Sequence, residues 1–211
     1  IGITATVICA VFAAIIGIAA GYFGGIVDAM LSRLMDIMWA VPVYLIAISL
    51  SIVTISQGLR IGPITLEADN LLLPILIIAI VYVPYIARPV RGQVLSLRQS
   101  DFILAARCLG MPSYRILLRE ILPNVATTLL VLAPLLMALN ILAESALSFL
   151  SIGVQAPAAS WGTIINDGQG LIYTRPMVAI APGLAVVVTV LALNLIGDGL
   201  RDALDPRGRN R

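Results

Sequence analysis

Residues 3–23 read ITATVICAVFAAIIGIAAGYF, an apolar run without a single charged side chain. Wound as a helix at 1.5 Å per residue, a run of this length covers the roughly 30 Å hydrocarbon layer of a bilayer. Four more long apolar runs follow, at residues 37–55, 71–87, 125–147 and 178–196, with Glu144 their one charged residue. Only helices and closed barrels satisfy their backbone polar groups in lipid, and these runs are too long and continuous for barrel strands. Each is therefore expected to be a spanning helix. The third is the shortest and holds Pro74 and Pro84, which neighbouring helices can accommodate inside a membrane. Composition agrees: of 211 residues, 60% are hydrophobic and only 11% charged, against about 25% charged in soluble domains. A water-soluble fold of this size cannot hide so much apolar side chain. The expected fold is an all-α polytopic membrane protein forming one domain over residues 1–211. The sequence opens on Ile1 inside an apolar run, with no starting Met, charged leader or cleavage site. It reads as a fragment that has lost its N-terminal part, and not as a signal peptide.

Arginine placement sets the expected topology. The chain has no Lys and no His, so all 13 basic residues are Arg. The connection between the third and fourth runs carries Arg88, Arg91, Arg98, Arg107, Arg115 and Arg119. The C-terminal tail carries Arg201, Arg207, Arg209 and Arg211, and the first connection carries Arg33. These three regions alternate correctly to share one side of the membrane. The other two loops hold only Arg60 and Arg175. The arginine-rich side is expected to be cytoplasmic, which puts the start of this sequence outside. A cytoplasmic N-terminus would then need one more span upstream, making six.

Several function classes are disfavoured. Without Lys there is no Gly-x-x-x-x-Gly-Lys-[Ser/Thr] string, so the chain carries no P-loop. There is no His, no thiolate cluster and no nucleophile–base pair. The two cysteines, Cys9 and Cys108, are far apart in apolar surroundings and suggest neither a disulfide nor a metal site. No catalytic residue, metal ligand or cofactor-binding residue is assigned, and nucleic acid is not an expected partner.

The segment 89–123 is long for a connection between helices, and it has its own pattern. Ser100 and Asp101 can cap a short helix and complement its dipole. Phe102, Ala105, Ala106 and Leu109 recur at helical spacing as one apolar face. Gly110 suits a left-handed C-terminal cap, and Pro112 stops continuation. Ser113 can cap a second helix, 114–122, ahead of Pro123 and the fourth span. One reading is an amphipathic helix on the inner leaflet with its arginines toward headgroups. The other is a knob that docks in a partner's groove, its small Ala residues allowing close approach.

Ala105-Ala106, then Gly110, then Ile121-Leu122-Pro123, resembles the "EAA" loop of ABC importer permeases. Leu104 stands where that family usually carries an acidic residue, and Ile-Leu-Pro lacks the residue that usually separates Ile from Leu. The resemblance extends over nearly the whole chain. AGYFGG at 20–25, AESALSFLSIGVQ at 143–155, SWG at 160–162 and NLIGDGLRDALDP at 194–206 are similar to the second, C-type permease of the dipeptide/oligopeptide/nickel branch. What the resemblance implies is a type I ABC importer transmembrane domain in a bacterial or archaeal plasma membrane. It implies a partner set of a homologous permease, two ATP-binding subunits that use ATP and magnesium, and an extracytoplasmic substrate-binding protein. Residues 89–123 become a cytoplasmic coupling segment, with Asp101, Phe102, Ala105, Ala106, Arg107, Leu109, Gly110 and Pro123 as the ATPase-coupling residues. The branch handles small peptides, with nickel or another small solute as the alternative cargo; the absence of His mildly disfavours nickel. A self-contained secondary transporter or channel is the competing class. Such proteins usually show midplane charges and an inverted repeat, and neither is evident in these spans.

Glu144 lies near the outer end of the fourth run. An ionisable residue there is either an interfacial carboxylate bonded to a neighbouring helix or a group lining the translocation path, where it could attract a substrate amine. The loop 148–177, with Trp161 inside it, is expected to be extracytoplasmic. It reads as a surface loop with an interfacial aromatic anchor, or, by the resemblance, as a partly re-entrant element facing the binding protein. The loop 56–70 could touch the same partner. Gly17-x-x-x-Gly21 permits close helix approach, within the chain or at a dimer face. Asp198, Asp202 and Asp205 read as solvated charges that cap the last helix.

Overall fold

The computed structural model describes residues 1–57, 59–61, 64–66 and 71–204. Gly58, Gly62, Pro63 and residues 67–70 of the loop 56–70, together with Asp205, Arg207, Arg209 and Arg211 of the tail, therefore lie outside the described residues. The elements in order are α1 (Gly2–Phe23), α2 (Gly25–Ala40), α3 (Val43–Gln57), a two-stranded antiparallel hairpin of β1 (Leu59–Ile61) and β2 (Ile64–Leu66), α4 (Leu72–Arg98), α5 (Asp101–Cys108), α6 (Ser113–Ile116), α7 (Leu122–Phe149), α8 (Trp161–Gly168) and α9 (Met177–Leu204). Among the described residues, four helical stretches are long and apolar enough to cross a membrane: Gly2–Phe23, Leu72–Arg98, Ser113–Phe149 and Met177–Leu204. The bent pair α2–α3 makes a fifth if counted as one span.

The core runs along α4. Its residues Ile78, Ile86, Val90 and Val94 are buried, enclosed mainly by α1 with α3 and α7 on other sides. α1 reaches α4 through its glycines. A Cβ at Gly17 would lie 2.7 Å from the Ala87 carbonyl oxygen, and one at Gly21 would lie 2.7 Å from Cβ of Val94. Positions 17 and 21 meet 90 and 94 in the same order, so the two helices run parallel. The small-residue pair thus serves packing within the chain. α7 runs antiparallel to α1, since Gly2 and Thr6 meet Ile141 and Asn140.

Three elements depart from the sequence expectation. The second apolar run, read as one helix over 37–55, is broken at Val41-Pro42, and α2 meets α3 at 89°. A residue before proline is pushed out of the helical region, and Val41 is extended at φ −100°, ψ 134°. Second, the helix expected over 114–122 is no separate element. The chain is helical from Ser113 to Phe149; Pro112 takes the cap position and Ser113 is the first helical residue. A π-helical turn at Leu117–Ile121 carries the helix past Pro123, which has no N–H to donate. The Asn124 side chain donates to the Glu120 carbonyl there, at 2.6 Å. Third, α4 does not stop near 87 but continues through Pro84 and Pro89 to Arg98, so the first ten residues of the segment 89–123 extend a span.

The arginines gather at one end of the bundle. Arg91 pairs with Asp28 in a two-pronged contact, with Nη2 to Oδ2 at 2.7 Å. Arg88 pairs with Asp36 at 2.7 Å. Arg98 donates to the Tyr22 carbonyl at 3.1 Å. Arg201 at the end of α9 shares a cavity with Thr127 and Thr128 at the start of α7. The first connection, the 88–119 region and the end of α9 therefore do lie together, as the alternation of charge requires.

Candidate functional site

Two places in this fold hold the residues singled out by sequence: the knob α5 at the arginine-rich end and the cavity around Glu144 at the other.

α5 is built on a turn from α4. Ser100 is extended at φ −73°, ψ 149°, as an N-cap should be. Its hydroxyl does not cap, however; it turns back to donate to the Leu97 carbonyl. Asp101, exposed in the first turn, supplies the charge that suits the helix N-terminus. The face predicted from Phe102, Ala105, Ala106 and Leu109 divides in two. Ala106 is buried together with Ile103, which the sequence reading passed over. These two fasten α5 to the rest of the chain. Phe102, Leu104 and Leu109 are 45%, 46% and 85% exposed, and Ala105 is exposed beside them. The guanidinium of Arg107 lies 5.2 Å from the centre of the Tyr22 ring at the end of α1, a cation–π contact. Pro123 belongs to the helix of the span and not to the knob. This eight-residue helix and its C-cap Leu109 thus turn three large apolar side chains outward at the charged end of the molecule, an exposed apolar patch of the kind that marks contact surfaces.

Gly110 closes α5 in the left-handed region at φ 74°, and its N–H donates to the Arg107 carbonyl at 2.9 Å. Space is open around it, with nothing within 4 Å of an added Cβ, so a side chain there meets only backbone strain. Gly110→Val is expected to cost about 1–3 kcal/mol and to act locally. Amide hydrogen exchange at residues 103–111 should speed up while exchange in α1 and α4 stays as it was.

At the other end, the 148–177 region contains an ordered helix, α8. Ser160 and Thr163 form a capping box, with the Ser160 N–H to Thr163 Oγ1 at 2.8 Å and the Thr163 N–H to Ser160 Oγ at 3.3 Å. α8 lies directly on α7. A Cβ at Gly162 would collide with the Ser145 carbonyl oxygen and lie 2.8 Å from Cβ of Ser148. Glu144 is buried, with 7% of its surface exposed. Its partner is on its own helix: Ser148 Oγ donates to Glu144 Oε1 at 2.7 Å and accepts from the Val154 N–H at 3.0 Å. This ties the carboxylate to the turn that leads to α8. Among the described residues no arginine pairs with Glu144. It lines a cavity of about 410 Å³ with Gly2, Ile141, Ser160, Trp161 and Ile164. Trp161 is thus the first residue of α8 and a wall of this cavity. A further buried polar group escaped the sequence reading. Asn140, one turn before Glu144, donates to Thr6 Oγ1 at 2.9 Å. A lone Asn inside an apolar run is the signal that could have marked it.

Comparison with known proteins places these features in context. The model of the family described as "Binding-protein-dependent transport system inner membrane component" matches residues 13–210. The dipeptide transport system permease protein DppC of Alkalihalophilus pseudofirmus is 41% identical over 197 residues, covering 93% of this chain and 60% of that protein. The oligopeptide transport system permease protein OppC of Mycobacterium bovis is 40% identical over 210 residues, covering 100% of this chain and 68% of that protein. The chain thus spans about 60–68% of the length of these relatives. Among solved structures, the inward-facing MetNI methionine ABC transporter contains a chain with the same fold. Its TM-score is 0.69 at 19% identity, over 97% of this chain and 93% of that one.

Proposed function

This chain belongs to the family of binding-protein-dependent transport system inner membrane components, and from that membership we propose that it is the non-catalytic permease subunit of an ATP-driven importer of di- and oligopeptides. It is a multi-pass membrane protein with four helices long enough to span, or five with the bent pair. The observation that carries the coupling part of the proposal is α5. Ile103 and Ala106 are sunk into the chain's own core, while Phe102, Leu104 and Leu109 are turned outward. A helix gripped on one side and apolar on the other transmits a push as a rigid body.

In this reading two ATP-binding subunits, holding ATP and magnesium, seat the knob through Asp101, Phe102, Ala105, Arg107 and Leu109. Ala106 and Gly110 keep it in shape, and Pro123 marks where it joins the fourth span. Closure of the ATPases moves α5, and the continuous helix from Ser113 to Phe149 passes the movement toward Glu144 and α8. A homologous permease forms the other half of the path. An extracytoplasmic substrate-binding protein delivers the peptide at the α8 end, and Glu144 lines the path there. The gathering of arginines at the α5 end supports a cytoplasmic position for that end and for the C-terminus. The names of relatives at about 40% identity support peptides as the cargo.

Purification from the native membrane tests the subunit reading. A stable complex with an ATPase is the expected result, and gradient-driven uptake by this chain alone would overturn it. For Glu144, the Gln variant keeps shape and hydrogen bonding but removes charge. Glu144→Gln is expected to cut peptide uptake about tenfold or more, equivalent to about 1.4 kcal/mol, with thermal stability little changed. Unchanged uptake would remove Glu144 from the path.

A further inference from the structure

α2 is amphipathic the wrong way round for a helix in water. Asp28, Ser32, Asp36 and Trp39 follow one another at helical spacing and form the side that reaches α4, with Asp28 and Ser32 half-buried and Asp36 and Trp39 only partly covered. Asp28 and Asp36 bind Arg91 and Arg88 of α4, Ser32 donates to Asp28 at 3.0 Å, and Trp39 lies under the Arg88 guanidinium, 3.9 Å from its ring centre. The opposite side holds Ile26, Met30, Leu34 and Ile37, which are 79%, 68%, 49% and 68% exposed. Only Met35 of α2 is buried. In water the apolar face would turn inward and the carboxylates outward. The inversion indicates that the surroundings of this face are apolar.

The helix also lies across the bundle. Asp28 and Asp36 are eight positions apart, about 12 Å along α2, yet they reach arginines three positions apart, about 4.5 Å along α4. The axis of α2 makes 89° with that of α3. With the spans along the membrane normal, α2 lies in the membrane plane, level with Arg88 and Arg91. α1 ends on an exposed apolar residue, Phe23, 58% exposed, three positions before Ile26 of α2. Arg33, also exposed, borders that face where a basic side chain reaches anionic headgroups.

We infer that α2 is an interfacial helix whose Ile26–Met30–Ile37 face is sunk among lipid acyl chains just below the headgroups of the arginine-rich side, while its carboxylates lock it to α4. The lipid here is a partner of α2 along its length, distinct from the lipid around the spans. The inference requires only that the protein sits in a membrane, not that it serves an ATPase.

The test uses the full-length protein in its native complex, in nanodiscs, with Cys9→Ala and Cys108→Ser as background. A bimane fluorophore is attached at Met30→Cys, Ile37→Cys or Ile26→Cys, with Asp202→Cys at the exposed end of α9 as the aqueous reference. Two quenchers are compared: phospholipid brominated near the top of its acyl chains, and iodide in the buffer. Several-fold stronger bromolipid quenching at positions 30 and 37 than at 202, with weaker iodide quenching, is the expected result. Dominant iodide quenching at positions 30 and 37 overturns the inference in favour of a solvated face. Protection from both quenchers overturns it in favour of a protein partner. Position 26 serves if either of the other variants fails to assemble. A chain that quenches as expected but binds no ATPase would sink the permease reading and leave this one standing.

Discussion

Ala105→Glu should leave the chain folded in the membrane and strip it of its ATPase. Ala105 is exposed on α5, where a substitution touching nothing inside the chain usually changes stability by no more than about 0.5 kcal/mol. In the proposed complex with an ATP-binding subunit the same position is covered. A carboxylate buried there without a partner costs several kcal/mol, and about 3 kcal/mol is already more than a hundredfold in affinity. ATP-driven uptake and co-purification of the ATPase should both collapse while the melting temperature of the isolated chain holds. The neighbouring position behaves in the opposite way. Ile103 is wholly buried, so Ile103→Glu should detach α5 from the body and lower stability as well as coupling. If the two variants behaved alike, α5 would have no outward-facing function.

Gly162→Val should undock α8. The glycine lies against the Ser145 carbonyl and the Ser148 side chain with no room for even a methyl group. The obstacle is helix backbone, which cannot move aside as the end of a flexible side chain can. Overpacking of this kind costs about 1–3 kcal/mol, and more when backbone is pushed. Because Trp161 and Ser160 line the cavity with Glu144, uptake should fall along with stability. Protease sensitivity at residues 150–176 should rise. Gly170→Val, with nothing within 4 Å, is the control and should leave both unchanged.

Much of this fold could be read from residues alone, and the misses have physical causes. The apolar runs gave the spans because lipid demands continuous hydrophobic helix, and the arginine distribution gave the end at which charges meet. Proline was the hard case. Pro42 breaks its run and sets α2 at right angles to α3, whereas Pro84 and Pro89 sit inside α4 and Pro134 inside α7. The residue type is the same in each, so the surrounding helices and not the proline alone decide whether the chain bends or continues. The knob α5 was visible from spacing, but its anchor was not. Assigning Ala106 to the outward face and omitting Ile103 came from reading an amphipathic helix as having one apolar side, when this one has an inner grip and an outer face. α2 was missed altogether, since its carboxylates look solvated until Arg88 and Arg91 of α4 are brought beside them. Glu144 was singled out because it is ionisable. Its serine partner and the cavity at its side depend on where the turn after α7 goes, which no local pattern specifies.

The most direct test of the account is a cross-link from the tip of the knob. In the full-length complex, with Cys9→Ala and Cys108→Ser as background, Leu109→Cys carries a short photoreactive group at the C-cap of α5, 85% exposed in the isolated chain. The account predicts that illumination joins this chain to the ATP-binding subunit, and that the yield changes when ATP closes the ATPases. Cross-linking to lipid alone, or to no protein while the site labels freely, would contradict it.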